Sequence, residues 1–291
     1  MQSAAIRFIG FDFRAANGST PHDLGEGLME LTGIRGAVAI VTGAAGGIGE
    51  AVARALGASG ARVAVTDIEG GKADILADAM RATGADATAW ALDVTRSDQV
   101  ERVVGEIEER LGPVAHLVNV AGIVPRGPML ELTDDGWDHV FGINARGVFF
   151  CLRAVGRRML ERRKGAIVTI GSQGAILVRT SLAAYGASKA AASSLTKCFG
   201  LELAPYGIRC NVVHPGVTST PPALERFGGD EARFHAHHAA GDPAIFRAPI
   251  PLGKAGRPED TASTVLFLLS DQAGHITMED IVVDGGATMI A

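Results

Sequence analysis

An α/β architecture, a doubly wound sheet of seven parallel strands with helices on both faces, is what this sequence predicts, and three observations predict it. From Ala37 onward, short runs rich in Val, Ile and Ala alternate with helix-forming stretches of ten or more residues. That is the pattern of strands buried on both faces by crossover helices. The first run passes through a glycine-rich turn, Thr42 to Gly49, directly into a helix. Finally, 291 residues with 47% apolar content, 38 glycines and only 20% charged residues suit one large core wound by tight turns.

Residues 1–35 read differently from the rest. Gly18, Ser19, Thr20, Pro21, Gly25 and Gly27 punctuate them, so they are expected to form an N-terminal extension, with Ile6–Phe13 as a short strand. Residues 36–291 are expected to form one Rossmann-type domain. AVAIVT is its first strand, and GAAGGIGEAVARALGASG is the glycine turn and helix. ARVAVTD and GKADILADAMRATG follow as strand and helix. ATAWALDV is the third strand, and Thr95 or Ser97 is expected to cap the next helix. AHLVNVAG is the fourth strand, followed by one long helix from about Asp134 to Arg163, then AIVTIGS as the fifth. AAYGASKAAASSLTKCFGLELA reads as helix, IRCNVVHPG as the sixth strand and DIVVDGG as the seventh. Residues 218–252 break this rhythm with Pro221, Pro222, Gly228, Gly229, Gly241, Pro243 and Pro249, yet keep two helix-forming runs. An irregular insertion of that length predicts a lid or specificity loop.

Charge and composition exclude several classes. Net charge is −5, and no Lys/Arg cluster with interleaved aromatics is present, so no nucleic-acid partner is expected. Arg157, Arg158, Arg162, Arg163 and Lys164 fall at a predicted helix end, where a solvated last turn accounts for them. Arg7, Asp12 and Arg14 interrupt the apolar opening, and no apolar run reaches membrane-spanning length, so no membrane partner is expected. Cys151, Cys198 and Cys210 are scattered and odd in number, which fits a reduced, cytoplasmic protein. His235, His237 and His238 are read as a polar helix face, and no metal is expected.

The chemistry-bearing residues follow the strand ends. Gly43, Gly47, Ile48 and Gly49 form a turn that lets a dinucleotide pyrophosphate approach backbone N–H groups at a helix N-terminus. Asp67 ends the second strand, where a carboxylate accepts from ribose hydroxyls and repels a 2′-phosphate, so the cofactor is expected to be NAD. Asp93 and Val94 end the third strand, placed to bracket an adenine. Asn119, Val120, Ala121 and Gly122 end the fourth, at the edge where ligands gather in open α/β sheets. Further on, Tyr185 and Lys189 stand four residues apart on a predicted helix, one turn apart on one face, with Ser172 thirteen residues before the tyrosine. An ammonium beside a phenol is a way to make a base from a tyrosine.

TGAAGGIG, the NVAG turn, Asn144, Ser172, Tyr185-Gly-Ala-Ser-Lys189 and His214-Pro-Gly together resemble the short-chain dehydrogenase/reductase family, from about residue 36 to the end. One departure is NVAG, where that family usually carries a second Asn. The resemblance implies that Tyr185 exchanges the proton, that Lys189 lowers its pKa and holds the nicotinamide ribose, and that Ser172 orients the reacting oxygen. It also implies that Asn144 holds a water linking Lys189 to solvent, and that Pro215, Gly216, Thr218 and Thr220 cover the nicotinamide. Assembly as a homodimer or homotetramer through the catalytic helix is implied too, with Ala190, Ala191, Ala192 and Leu195 suited to pack there.

The closing third, with IPLGKAGRPED and GHITMEDIVVDGG, resembles the catechol-forming members of the family, which act in siderophore biosynthesis on a carboxylated ring alcohol. A buried site should meet such a carboxylate with a forked guanidinium. Arg179, six residues before Tyr185, is the first choice, with Arg126 and Arg247 beside it. Dehydrogenation or ketoreduction of another cyclic alcohol is the second reading. A silent NAD-binding sensor is a remote third.

Overall fold

The computed structural model describes residues 31–289. These build one sheet of seven parallel strands in the order β3-β2-β1-β4-β5-β6-β7. The elements run β1 (Val38–Thr42), α1 (Gly47–Ala58), β2 (Arg62–Asp67), α2 (Gly70–Ala82), β3 (Asp86–Ala91), α3 (Ser97–Leu111) and β4 (Val114–Asn119). After these come α4 (Asp134–Phe141), α5 (Val148–Arg162), β5 (Gly165–Ile170), α6 (Ala183–Leu203), β6 (Ile208–Pro215), α7 (Pro221–Glu225), α8 (Glu231–Ala239), α9 (Pro258–Leu269) and β7 (Asp280–Val283).

Alternation along each strand divides the core into two layers. Ala39 and Val41 of β1 pack with Leu56 of α1, Met80 of α2 and Leu268 of α9. Val38 and Ile40 point the other way, toward Val104 of α3, Leu152 of α5 and Ala192 of α6. A third, small cluster joins Phe234 of α8 to Ile250, Ala255 and Ala287, so residues 218–252 carry helices and an apolar centre of their own.

Four expectations change at the level of local structure. The expected extension falls outside the described residues up to residue 30, but residues 31–35 belong to the packed unit. Ile34 is fully buried, and Thr32 is tied to Gln272 at 2.9 Å and Asp271 at 3.0 Å. Neither Thr95 nor Ser97 caps α3. Arg96 is the capping residue and makes no side-chain cap bond, while Thr95 turns back to Asp93. The long helix is interrupted, because Gly142–Gly147 form a π-helical turn between α4 and α5. The basic run at the end of α5 is less solvated than expected, since Arg158 meets Glu101 at 3.2 Å and Arg162 meets Glu108 at 2.8 Å.

Candidate active site

The sheet order reverses between β1 and β4, and the crevice beyond their carboxyl ends is where open α/β sheets hold ligands. A cleft of about 730 Å³ lies there. Its floor is backbone. Gly43 has φ +62°, and a Cβ on it would lie 2.7 Å from the Ala121 Cα. A Cβ on Gly47 would lie 2.5 Å from the Thr220 methyl, so both glycines keep space that any other residue would fill. Thr42 Oγ1 accepts from the N–H groups of Val120 (3.1 Å) and Ala121 (3.3 Å), joining the glycine turn to the end of β4.

Gly43, Gly47, Ile48, Asp67, Asp93 and Val94 line this cleft, with Ala121, Gly122, Tyr185 and Lys189. Pro215, Gly216, Thr218 and Thr220 line it as well. Asp67 Oδ2 accepts from the Ala45 N–H at 3.0 Å, so the carboxylate at the end of β2 also fixes the glycine turn. Two expected residues lie elsewhere. Gly49 is buried at the head of α1, where a Cβ would meet the Gly43 carbonyl at 2.1 Å; its job is packing. Asn119 points into the sheet and donates to Thr169 Oγ1 at 3.2 Å. Gly46, Ile68 and Thr95 line the cleft unforeseen, although Gly46 and Thr95 are each within three residues of a motif position.

Tyr185 and Lys189 rise from the first turns of α6, and Ser172 sits just past β5. Lys189 is buried, and its ammonium donates to the Ile170 carbonyl at 2.7 Å. Burial lowers its pKa to about 8. For Tyr185 the largest influence is also burial, which raises the phenol pKa, opposed by the Ser172 hydroxyl and the charge of Arg126. The hydrogen bond of the Lys189 ammonium thus goes to the Ile170 carbonyl. Asn144, inside the π turn, accepts from the Ile123 N–H at 2.9 Å and donates to the Ile123 carbonyl and Ser188 Oγ, each at 3.0 Å. Both amide hydrogens are spent on protein, so its side chain fixes the loop beside Lys189 and has only an oxygen lone pair left for water.

Gly122 explains why that loop is close: a Cβ there would lie 3.0 Å from Asn144 Oδ1 and 3.2 Å from Lys189 Nζ. Sequence reading did not foresee the work of His214. Its Nε2 lies 2.9 Å from Asp280 Oδ1, and its Nδ1 meets the Ser172 main chain, 2.9 Å from the carbonyl and 3.1 Å from the N–H. Part-burial works to raise the pKa of Asp280, but Lys197 at 2.5 Å and His214 hold it below the usual range.

A second cavity of about 240 Å³ adjoins the cleft, and Ser172 and Tyr185 line both. Arg126, Arg179 and Arg247, from three separate loops, converge on it. Arg226, Gln173 and His238 were not foreseen and line it too. Among the described residues, no carboxylate does. Burial first, then the charges of Arg247 and Arg126, pull down the pKa of Arg179, as expected where like charges crowd. Of the α8 histidines, His237 is exposed while His235 and His238 are half-buried. His238 packs at a tilt on Phe234, 4.2 Å between ring centres, and burial lowers its pKa to about 4.

A glycine-turn cleft meeting a serine, a phenol and a buried ammonium on a parallel sheet defines a dinucleotide-dependent oxidoreductase. More particularly, the chain belongs to the short-chain dehydrogenase/reductase family: residues 43–288 match the family model described as Enoyl-(Acyl carrier protein) reductase. A 2,3-dihydro-2,3-dihydroxybenzoate dehydrogenase of Bacillus subtilis (strain 168) is 45% identical over 261 residues, 90% of this chain and 99% of the relative. A vibriobactin-specific enzyme of the same name from Vibrio cholerae serotype O1 (strain ATCC 39315 / El Tor Inaba N16961) is 46% identical over 198 residues, 68% of this chain and 75% of the relative. Among solved structures, that of gox2181 superposes with a TM-score of 0.80 at 37% identity, covering 88% of this chain and 98% of the other. The protein is thus an oxidoreductase of CH–OH groups, with a nicotinamide cofactor and a small-molecule substrate. Among the described residues no helix is long and apolar enough to cross a membrane.

Proposed function

We propose that the protein oxidises a carboxylated cyclic secondary alcohol with NAD, its substrate being 2,3-dihydro-2,3-dihydroxybenzoate and its product 2,3-dihydroxybenzoate for siderophore biosynthesis. The observation that carries this reading is the convergence of Arg126, Arg179 and Arg247 on a cavity that shares Ser172 and Tyr185 with the dinucleotide cleft. The names of the relatives support it independently. A dinucleotide fits the cleft by its donor set: backbone N–H groups at the head of α1 for pyrophosphate, and the Asp67 carboxylate for the ribose hydroxyls. A bound nicotinamide supplies the acceptor for the hydride of the carbinol carbon. Pro215, Gly216, Thr218 and Thr220 close its side of the cleft.

The chain's own residues do the rest. Arg179, flanked by Arg126 and Arg247, holds the ring carboxylate and so aims the alcohol at Tyr185. Ser172 hydrogen-bonds the reacting oxygen. Tyr185, as phenolate, takes the hydroxyl proton, and the Lys189 ammonium offsets the charge while that proton is exchanged. Asn144 holds the loop at Gly122 close beside Lys189. Loss of hydride from C3 and of the proton from its hydroxyl leaves an enone, which tautomerises to the catechol. Residues 218–252 act as the lid of the single domain, and the protein assembles in the cytoplasm as a homodimer or homotetramer. For that assembly, Ala192 and Leu195 face the protein's own core, so the exposed face of α6 at Ala187, Ala190, Cys198 and Leu201 is the one to pack.

The test is formation of NADH from NAD, or of NADPH from NADP, with this diol. The expected result is turnover with marked preference for NAD. Equal use of NADP would overturn the role of Asp67, and absence of turnover on the carboxylated diol, with turnover of uncharged ring alcohols, would overturn the substrate.

A further inference from the structure

We propose that Gln173 is a positioning residue, which holds the Arg179 guanidinium toward the substrate cavity without neutralising it and so sets the preference for an anionic substrate. The inference rests on the reading of Arg179 as the partner of the substrate carboxylate. Gln173 is buried, one residue beyond Ser172. With the amide assigned so that its oxygen faces Arg179, it accepts from Nη2 at 2.5 Å and Nη1 at 3.0 Å, and its nitrogen donates to Asp284 Oδ2 at 3.3 Å. This is the orientation in which both ends of the amide meet a complementary partner.

The choice of an amide has a chemical consequence. A guanidinium has five N–H donors in a rigid fork; Gln173 takes two through a neutral oxygen and leaves the rest for a ligand. Glu or Asp in its place would hold the fork as an ion pair and cancel the charge that a carboxylate substrate requires. Here the acid stands one amide further back. Asp284 is itself fixed in the turn after β7, accepting from the N–H groups of Gly286 (2.9 Å) and Thr288 (2.7 Å) and from the Thr288 hydroxyl. Gly216 lets that turn press in, since a Cβ there would lie 2.6 Å from the Asp284 Cβ. The aim of Arg179 is thus anchored through Gln173 to the C-terminal turn, across the site from α6. The lining points the same way: Arg126, Arg179, Arg226 and Arg247 share a cavity that, among the described residues, no carboxylate lines.

Steady-state kinetics of Q173M, Q173A, Q173E and R179A, each with the carboxylated ring alcohol and an uncharged cyclic secondary alcohol, test this. Q173M keeps the volume and loses the acceptor. The expected result for Q173M and Q173A is a KM for the carboxylated substrate raised about tenfold, with kcat within about threefold and the uncharged alcohol unaffected. Q173E is expected to raise that KM further, because it pairs with Arg179. Equal losses on both substrates, a loss in kcat alone, or a Q173E no worse than Q173M would overturn the proposal. The reading beneath it fails separately: R179A with an unchanged KM for the carboxylated substrate sinks the role of Arg179. A raised KM in R179A with wild-type behaviour in the Gln173 variants sinks only the present inference.

Discussion

The two cavities that meet at Ser172 and Tyr185 are built by opposite means. The larger is a backbone cradle, shaped by what glycine omits at Gly43 and Gly47 and edged by the carboxylates of Asp67 and Asp93. The smaller is a side-chain cavity, drawn from the β4, β5 and β6 loops and the 218–252 segment, rich in arginine and free of carboxylates among the described residues. A backbone cradle suits the pyrophosphate, the part common to dinucleotides. A side-chain cavity can be refitted residue by residue, so discrimination among alcohols belongs there. The residues at the junction serve both.

Changes at the junction should therefore cost most and discriminate least. Y185F removes the proton acceptor, and kcat is expected to fall about 10³-fold on charged and uncharged alcohols alike, with NADH binding retained. K189M should lower kcat about 10²-fold while stabilising the fold. The buried ammonium has its pKa lowered from 10.5 to about 8, so at neutral pH the native state carries a charge it disfavours, costing on the order of 3 kcal/mol. Below about pH 8 that cost is present in full. Between about 8 and 10.5 it is relieved, because the native lysine gives up its proton before the unfolded one. Denaturant midpoints of wild type and K189M across this range should converge as pH rises; a parallel pair of curves would break the account.

Away from the reacting atoms the effects shrink. H214A frees the Ser172 main chain, and kcat is expected to fall about tenfold with KM unchanged, partly recovered in H214Q, since the contact of the imidazole with that main chain is at stake. R226A, at an exposed position on the cavity rim, should raise KM for the carboxylated substrate only about twofold to threefold. A larger effect would move the centre of anion recognition from Arg179 to the lid.

How legible each cavity is in the sequence follows from how it is made. The cradle is one contiguous motif with a fixed spacing to Asp67, and its strand, turn and helix appear where expected. Its errors are fine: Gly49 and Asn119 sit in the right turns but serve packing, a matter of which way one side chain faces. The π turn that carries Asn144 was not legible, because Gly142–Gly147 lies between two helix-forming runs and its partner, Ile123, comes from another loop. The arginine cavity was readable in pieces, since Arg126, Arg179 and Arg247 stand on loops after successive strands. Gln173 carries no pattern of its own, and His214 stood in the His-Pro-Gly motif without a role. Their work depends on Asp284 and Asp280, both from the far end of the chain.

The central claim, that one cavity holds the cofactor while the other selects a carboxylated alcohol, is tested most directly by kcat/KM of R179A on the carboxylated diol and on an uncharged ring alcohol at saturating NAD. The account predicts a loss of about 10- to 100-fold confined to the carboxylated substrate, the worth of a charge-assisted pair. A loss shared equally by both substrates, or no loss on either, would contradict it.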